Sequence, residues 1–157
     1  LEGILPDVVT TAKGLGNGVP IGACLARGAA AQVLQPGTHG STFGGNPLVC
    51  AAANAVLDAL EDGALMQRAT QLGERIRSGI AERTRGSNRV AEIRGLGLMI
   101  GIELNDACGH LVAAALERGV LLNVTRDNVI RLLPPLIMTD EQADELCDHV
   151  AALIEGP

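Results

Sequence analysis

The sequence has almost no aromatic residues and only one lysine. Tryptophan and tyrosine are absent, Phe43 is the only phenylalanine, and Lys13 is the only lysine among the 12 lysine and arginine residues. A drift of the genome towards arginine and alanine codons explains part of this bias. A single remaining lysine nevertheless points to a task that arginine cannot perform, because an amine can lose its proton and attack a carbonyl, whereas a guanidinium stays charged.

Other absences exclude several classes of protein. The four cysteines form no C-x-x-C pair and the three histidines are scattered, so we expect reduced thiols and no metal site. A net charge of −6 argues against nucleic acid as a partner. No run approaches the roughly 18 to 20 apolar residues of a membrane span, and the first residues lack the features of a signal peptide. These features predict a cytoplasmic protein that does not interact with membranes.

The composition and the apolar pattern predict a folded α/β protein. Apolar residues make up 47% of the chain. A polar segment, residues 85–88, is the best candidate for a domain boundary. Beyond it the order β-β-α-β-β-α indicates a small α+β domain. The predicted strands are residues 8–12, 21–25, 90–94, 98–104, 120–124 and 128–132, and the predicted helices are residues 47–60, 64–84, 107–118 and 139–154.

The first segment with chemical content places Lys13 directly before a glycine-rich run, residues 14–22. A P-loop has its lysine after the glycines, so this segment does not fit that motif. A lysine that forms a Schiff base needs an apolar site that lowers its pKa, and bare backbone beside it to admit a flat cofactor. We expect this segment to supply both, and an ordinary surface lysine beside a turn remains the alternative.

The second segment, residues 39–47, contains hydroxyl groups and glycines and leads into a predicted helix, with Asn46 as N-cap and Pro47 at the first helical position. Hydroxyls, glycine amides and a helix N-terminus together favour an anion. An N-capped helix after a flexible loop explains the same residues. His39 by itself is interpreted as a loop or packing residue.

In the third segment, residues 123–136, Arg131 lies among apolar residues just before Pro134 and Pro135. A buried arginine is costly unless it meets an anion, and its planar guanidinium suits a carboxylate. A salt bridge to one of the chain's own acids is the open alternative. We interpret Arg126 and Asp127 as a surface turn.

These three segments, in this order and spacing, resemble the class III (ornithine-type) aminotransferases, and the similarity covers nearly the whole chain. Residues 94–99 and 123–136 are most similar to the acetylornithine branch of that family, which serves arginine biosynthesis. The resemblance implies the pyridoxal 5′-phosphate (PLP) dependent fold type I. Residues 1–84 would be the C-terminal part of the PLP-binding large domain, and residues 85–157 the C-terminal small domain.

The resemblance also implies residue roles. Lys13 would form the Schiff base with PLP, and Thr42 would bind the cofactor phosphate of the neighbouring subunit in a homodimer. Arg131 would hold the α-carboxylate of the substrate. The implied reaction moves the terminal amino group of N-acetylornithine to 2-oxoglutarate.

The sequence departs from the family in what it lacks. It has no acid in a motif suited to the pyridine nitrogen, no aromatic to stack on the ring and no upstream phosphate loop. We therefore expect one piece of a longer polypeptide, inactive by itself. The alternatives are an ornithine, succinylornithine or 4-aminobutyrate aminotransferase, and a non-catalytic fragment that serves binding or oligomerisation.

Overall fold

The chain divides into two compact units, Leu1–Gly63 and Ala64–Pro157, and the computed structural model describes residues 3–156. The first unit contains two short antiparallel strands, two 3₁₀ turns and one helix. The strands β1 and β2 pair with Val8 opposite Ala26 and Thr11 opposite Ala23. Along the chain the elements are β1 (Val8–Thr11), the 3₁₀ turn Lys13–Gly16, β2 (Ala23–Ala26), the 3₁₀ turn Gly28–Gln32 and helix α1 (Pro47–Glu61).

Helix α1 begins and ends where local chemistry predicts. The Asn46 side chain accepts a hydrogen bond from the backbone N–H of Val49 at 3.2 Å, and Pro47 occupies the first turn, where no N–H partner is needed. Gly63, with φ of +78°, follows the helix and separates it from the next one. Both ends confirm the sequence prediction to within about one residue.

The second unit is a four-stranded antiparallel sheet with helices. Its strands run in the order β3-β4-β6-β5, and its elements follow the predicted order, with one further helix at its start. Along the chain these are α2 (Ala64–Arg83), β3 (Val90–Leu96), β4 (Met99–Leu104), α3 (Leu111–Glu117), β5 (Asn123–Thr125), β6 (Val129–Leu132) and α4 (Asp140–Glu155).

The core of the second unit lies between one face of the sheet and the helices. Side chains alternate along β4 and β6, so Ile102 and Ile130 are opposite one another on the same, buried face. Helix α2 contributes Ile76 and helix α4 contributes Val150, neither of which is exposed to solvent. The other face of the sheet carries charged and polar residues, and it bears the site described below.

Helices α2 and α4 are also joined by ion pairs at their surface. Arg68 donates to Asp140 at 2.6 Å, and Arg75 donates two hydrogen bonds to Asp144 at 2.6 and 2.9 Å. The hydrogen bond from Arg75 lowers the pKa of the Asp144 carboxyl. Helix α4 itself begins with a capping box formed by Thr139 and Gln142.

The two element boundaries that differ most from prediction are set by backbone hydrogen bonds outside the periodic pattern. Helix α3 begins at Leu111 and not at residue 107, since the backbone N–H of Cys108 donates to the carbonyl of Asp127 at 2.8 Å. Strand β5 begins at Asn123 and not at residue 120, since the N–H of Val120 donates back to Ala115 at the end of α3. The first contact is tertiary, whereas the second is the local bond that ends α3 around Gly119, whose φ is +75°.

The two compact units divide at residue 63, before α2, whereas the predicted domain boundary lies at residue 84. Helix α2 packs in the second unit because its apolar stripe, Leu72, Ile76 and Ile80, is fully buried there. The division of the longer protein into a large domain ending at residue 84 and a small domain from residue 85 stays a prediction. No helix within residues 3–156 combines the length and apolarity needed to cross a membrane.

Candidate active site

Lys13 opens the first 3₁₀ turn in an uncommon backbone conformation. Ala12 before it is extended, with φ of −161°, and Lys13 has φ of +51°. Left-handed backbone is rare for a residue with a side chain and is often found where function requires a particular geometry. The turn is closed by a hydrogen bond of 3.1 Å from the N–H of Leu15 to the carbonyl of Ala12. The backbone therefore changes from extended to left-handed at Lys13, and this change determines the direction in which the Lys13 side chain leaves the turn.

The backbone beside Lys13 is bare on one side and packed on the other. A Cβ added at Gly14 would meet nothing within 4 Å, whereas a Cβ at Gly16 would lie 2.7 Å from the Cγ2 atom of Ile21. Gly16 is buried, and α1 packs against this 3₁₀ turn. The glycine at position 16 is therefore required by packing, while the one at position 14 leaves open space next to the lysine.

The expected apolar enclosure of Lys13 is not formed by the residues described. Lys13 is exposed, and within residues 3–156 its amine makes no hydrogen bond or ion pair. Of the residues in its 3₁₀ turn only Gly16 is buried, so the segment supplies a bare approach but no apolar wall. That part of the sequence prediction is wrong for the chain as described, because its short strands have no cover of their own.

The loop before α1 is held by its own hydrogen bonds and presents Thr42 outward. The Ser41 hydroxyl accepts from the N–H of Gly44 at 3.0 Å, and the Asn46 side chain donates to the carbonyl of Phe43 at 2.8 Å. Thr42 is exposed, and among the described residues its hydroxyl has no hydrogen-bond partner. Phe43 is 80% exposed, and His39 is an exposed loop residue as interpreted from the sequence.

Arg131 lies on β6, on the sheet face away from the core. It is opposite Gly101 of β4 on one side and Asn123 of β5 on the other. Its side chain is exposed, and in the part of the chain that the structure describes it makes no ion pair or side-chain hydrogen bond. The alternative of a salt bridge to one of the chain's own acids is therefore not seen among the described residues, which leaves the guanidinium available to an external anion.

A second arginine on the same face behaves differently. Arg94 of β3 is opposite Gly101 across the strand pair, and one guanidinium nitrogen donates to both Glu92 and Glu103 at 2.7 Å. The hydrogen bond to Glu103 raises the pKa of Arg94. Arg94 is thus neutralised by two carboxylates, while Arg131 is not. Both arginines line an open cleft of about 320 Å³.

Comparison with known proteins shows to which family the chain belongs. The model of the family described as aminotransferase class-III matches residues 1–154. The chain belongs to the class III aminotransferases. This confirms the resemblance inferred from the three segments.

Curated relatives of this class III chain are named for the acetylornithine branch. Acetylornithine aminotransferase 1 of Bordetella pertussis is 52% identical over 152 residues, which cover 97% of this chain and 39% of the relative. The chain thus spans about two fifths of the length of the curated relatives it matches. The agreement supports the prediction of this branch within the family.

Solved structures of the family share the fold of this chain. Acetylornithine aminotransferase from Elizabethkingia anophelis gives a TM-score of 0.88 at 39% identity, covering 98% of this chain and 40% of that one. Ornithine aminotransferase of Toxoplasma gondii, in a structure described as having partial occupancy of PLP at the active site, gives 0.90 at 37% identity, covering 98% and 37%. The α/β fold is that of the fold type I aminotransferases, as predicted.

The structure distributes the three predicted site residues of this class III chain over its two units. Lys13 and Thr42 belong to the first unit, and Arg131 to the second. Arg126 and Asp127 form the predicted surface turn between β5 and β6, with φ of +51° and +64°. Sequence reasoning missed the neutralised Arg94 and the glycine between it and Arg131. A glycine inside a predicted strand was the available signal for the latter.

Proposed function

We propose that this chain is the C-terminal portion of a PLP-dependent aminotransferase that moves the terminal amino group of N-acetylornithine to 2-oxoglutarate. The observation that carries the proposal is the state of the only lysine. Lys13 is exposed, has no partner among the described residues, and is held in left-handed backbone beside open space at Gly14. A lysine used only for solubility needs none of this geometry.

The residues present fit part of a PLP site. Lys13 supplies a primary amine for the aldehyde, Gly14 leaves room beside it for a flat ring, and Thr42 supplies a free hydroxyl for a phosphate. Contacts to the ring nitrogen and stacking on the ring are tasks that none of these three residues performs. We therefore propose that the rest of the site comes from other parts of the longer protein, and that this chain is inactive by itself.

Lys13 would have two tasks in the reaction. When bound through Lys13, PLP supplies an electron sink for negative charge at the substrate carbon that carries the amine. The Lys13 amine, once freed by the amine of the substrate, would lie beside that carbon as its base. It would take the proton from the carbon and deliver it to the bound cofactor, which requires the amine to stay within hydrogen-bond reach of both.

Arg131 would hold the other end of the substrate. Among residues 3–156 its guanidinium pairs with no acid, whereas Arg94 on the same face pairs with two. A planar guanidinium binds a carboxylate through two parallel N–H donors and so fixes its direction as well as its position. A substrate held in this way at its α-carboxylate places its terminal amine at a set distance, which is how binding at one end accelerates chemistry at the other.

The first experiment combines PLP incubation, borohydride reduction and peptide mass mapping, on this chain and on the longer protein. We expect a phosphopyridoxyl adduct on Lys13 in the longer protein and none on this chain alone. Lys13→Arg is the matched variant, since it keeps the charge and cannot form the bond. If Lys13 stays unmodified in the folded longer protein, the aminotransferase proposal is wrong, and the alternative of a binding or oligomerisation module takes its place. If a specific adduct also forms on this chain alone, the proposal that its site is incomplete is wrong.

The amino donor is tested separately. N-acetylornithine, ornithine, succinylornithine and 4-aminobutyrate are compared by kcat/KM with 2-oxoglutarate as acceptor. The similarity to an ornithine aminotransferase at a TM-score of 0.90 makes ornithine the main competitor. We expect the highest kcat/KM with N-acetylornithine, and a higher value with another donor would move the assignment to that branch.

We also propose a cytoplasmic homodimer in which Thr42 serves the site of the neighbouring subunit. The proposal is supported by the exposed loop of Thr42 and Phe43 and by four free cysteines. Hybrid dimers of Lys13→Ala and Thr42→Ala subunits test it. If Thr42 acts across the interface, one site of each hybrid has both native residues and shows native PLP affinity. If Thr42 acts within its own subunit, no site has both, and native affinity is not restored.

A further inference from the structure

Gly101 has no conformational reason to be a glycine. It lies inside β4, a central strand of the sheet, where glycine weakens the strand because it has no side chain to pack and loses more freedom on folding. Its φ is not in the left-handed region, unlike that of Gly97 in the turn that precedes β4, which is +53°. Any residue could adopt the backbone found at position 101.

Packing within the chain does not require glycine at this position either. A Cβ at Gly101 would lie 3.4 Å from Cγ1 of Val129 and 3.9 Å from Cγ of Arg94, which are ordinary contacts. Elsewhere in the unit glycine is required: a Cβ at Gly73 would lie 2.0 Å from the carbonyl oxygen of Gly97, and one at Gly95 would lie 2.5 Å from that of Met99. Glycine inside a strand that neither backbone nor packing explains indicates close approach by something else.

The neighbours of Gly101 indicate what approaches. Cross-strand register places Arg94, Gly101, Arg131 and Asn123 side by side in one row on the sheet face away from the core. Arg94 is paired with Glu92 and Glu103, so the cation of this row that has no carboxylate partner among the described residues is Arg131. The cleft above the row contains Gly101 in its floor. An anionic ligand on Arg131 therefore lies over bare backbone at Gly101.

We infer that Gly101 is a specificity-determining residue: it leaves the space in which the carboxylate end of the substrate lies flat against β4 beside Arg131. The inference rests on the proposed function of Arg131 as the carboxylate anchor. Arg94, with two acids and one cation in contact, closes the other side of the space with a net negative charge. That charge directs a carboxylate towards Arg131 and away from Arg94.

The test uses the longer enzyme and glutarate, a dicarboxylate that cannot react. Gly101→Ala adds one methyl group to the floor, and Gly101→Val adds more. Gly109→Ala is the matched control, since a Cβ there meets nothing within 4 Å and its φ is ordinary. Calorimetry gives the Kd of glutarate, steady-state kinetics gives KM and kcat, and thermal unfolding confirms that each variant is folded.

We expect Gly101→Ala to raise both the Kd of glutarate and the KM for the amino acceptor about tenfold, and Gly101→Val to raise both further. The kcat of Gly101→Ala should stay close to that of the parent, its Tm should not fall, and Gly109→Ala should change none of these quantities. Unchanged glutarate affinity in a folded Gly101→Ala enzyme would overturn the inference.

A double variant separates this inference from the proposed function. In an Arg131→Ala enzyme, adding Gly101→Ala should weaken glutarate binding no further, because the carboxylate has lost its anchor. An additional tenfold loss in that background would show that Gly101 acts on stability or on another site, and would overturn the inference. If Arg131→Ala itself leaves glutarate affinity unchanged, the proposed role of Arg131 fails and Gly101 fails with it. Borohydride labelling of Lys13, which does not depend on either residue, reports on the cofactor site independently.

Discussion

The two units of this chain differ in how far each can bury its own apolar residues. The second unit buries a continuous cluster between its sheet and its helices, with Ile76, Ile100 and Ile130 fully excluded from solvent. In the first unit, among the described residues, only Gly16, Val49 and Ala53 are buried, and both strands are exposed along their whole length. Val9 and Leu25, opposite one another in the sheet, remain 45% and 57% exposed.

This difference indicates which unit needs the rest of a longer protein. Strands that are apolar on both faces are typical of a sheet covered on both sides, and a two-stranded sheet is marginal on its own. The first unit has such strands and no cover for them within residues 3–156. Since the chain spans about two fifths of its curated relatives, we expect further chain to supply that cover. The second unit already has the packing of an independent domain.

The largest expected difference between the units is in the accessibility of their thiols. Cys24 is exposed on β2, whereas Cys108 and Cys147 are buried in the second unit, and burial raises the pKa of both buried thiols. A maleimide should modify Cys24 in native buffer and reach Cys108 and Cys147 only after opening of the core. We expect rates that differ by several orders of magnitude, as set by the free energy of opening.

Mass mapping of the modified peptides over time checks this comparison. Cys24→Ser should remove the fast phase and leave the slow one intact. Equal rates at Cys24 and Cys147 in native buffer would mean that the second unit is not a stably folded core.

The next largest effect comes from matched truncations in the two units. Ile76→Ala in α2 removes a side chain with no exposed surface and should lower the free energy of unfolding by about 2 to 5 kcal/mol. Leu48→Ala in α1 removes a side chain that is 76% exposed and should change it by less than about 0.5 kcal/mol. Urea denaturation followed by circular dichroism measures both, and similar losses for the two variants would contradict the contrast between the units.

The smallest effect is a pH dependence confined to the second unit. Hydrogen bonds from Arg75 lower the folded-state pKa of Asp144, and those from Arg77 and Ser78 lower that of Glu74. Because these values are depressed relative to the unfolded chain, the stability they contribute is present above the unfolded pKa, about 4. It is lost as the pH falls through the folded values. The urea midpoint should therefore decrease between about pH 5 and pH 2.

Two variants distinguish this effect from general acid denaturation. Asp144→Asn removes one of the depressed carboxyls and should make the decrease of the urea midpoint shallower. Asp7→Asn in the first unit, where the distance between Arg27 and Asp7 is 3.9 Å and both side chains are exposed, should leave the decrease as it is. An identical pH profile for Asp144→Asn and the parent would remove the ion pairs of α2 and α4 from the explanation. Since all these groups are at the surface, added salt should reduce the effect.

Most of the fold was predictable because its determinants are local. The Asn46 cap and the glycine at position 63 set the two ends of α1, the Thr139–Gln142 capping box set the start of α4, and the alternation in β4 set its buried face. The start of α3 was not predictable, since the tertiary bond from Cys108 to Asp127 decides it. The late start of β5 follows from a local bond, from Val120 to Ala115 around Gly119, which the strand pattern overlooked. The packing of α2 in the second unit was not predictable either, because it depends on which core residues its apolar stripe contacts in the folded chain.

The candidate site divides in the same way. Local patterns alone identified the candidates, since the only lysine lies beside glycines and Arg131 lies before two prolines, and the chemical roles of both residues stay a prediction. The folded sheet was needed to show that Arg131 has no acidic partner among the described residues, that Arg94 is paired with two glutamates, and that Gly101 lies between the two arginines in one row. The reason is physical: the availability of a charge depends on its neighbours in space, and here those neighbours come from separate strands whose register only the folded sheet defines.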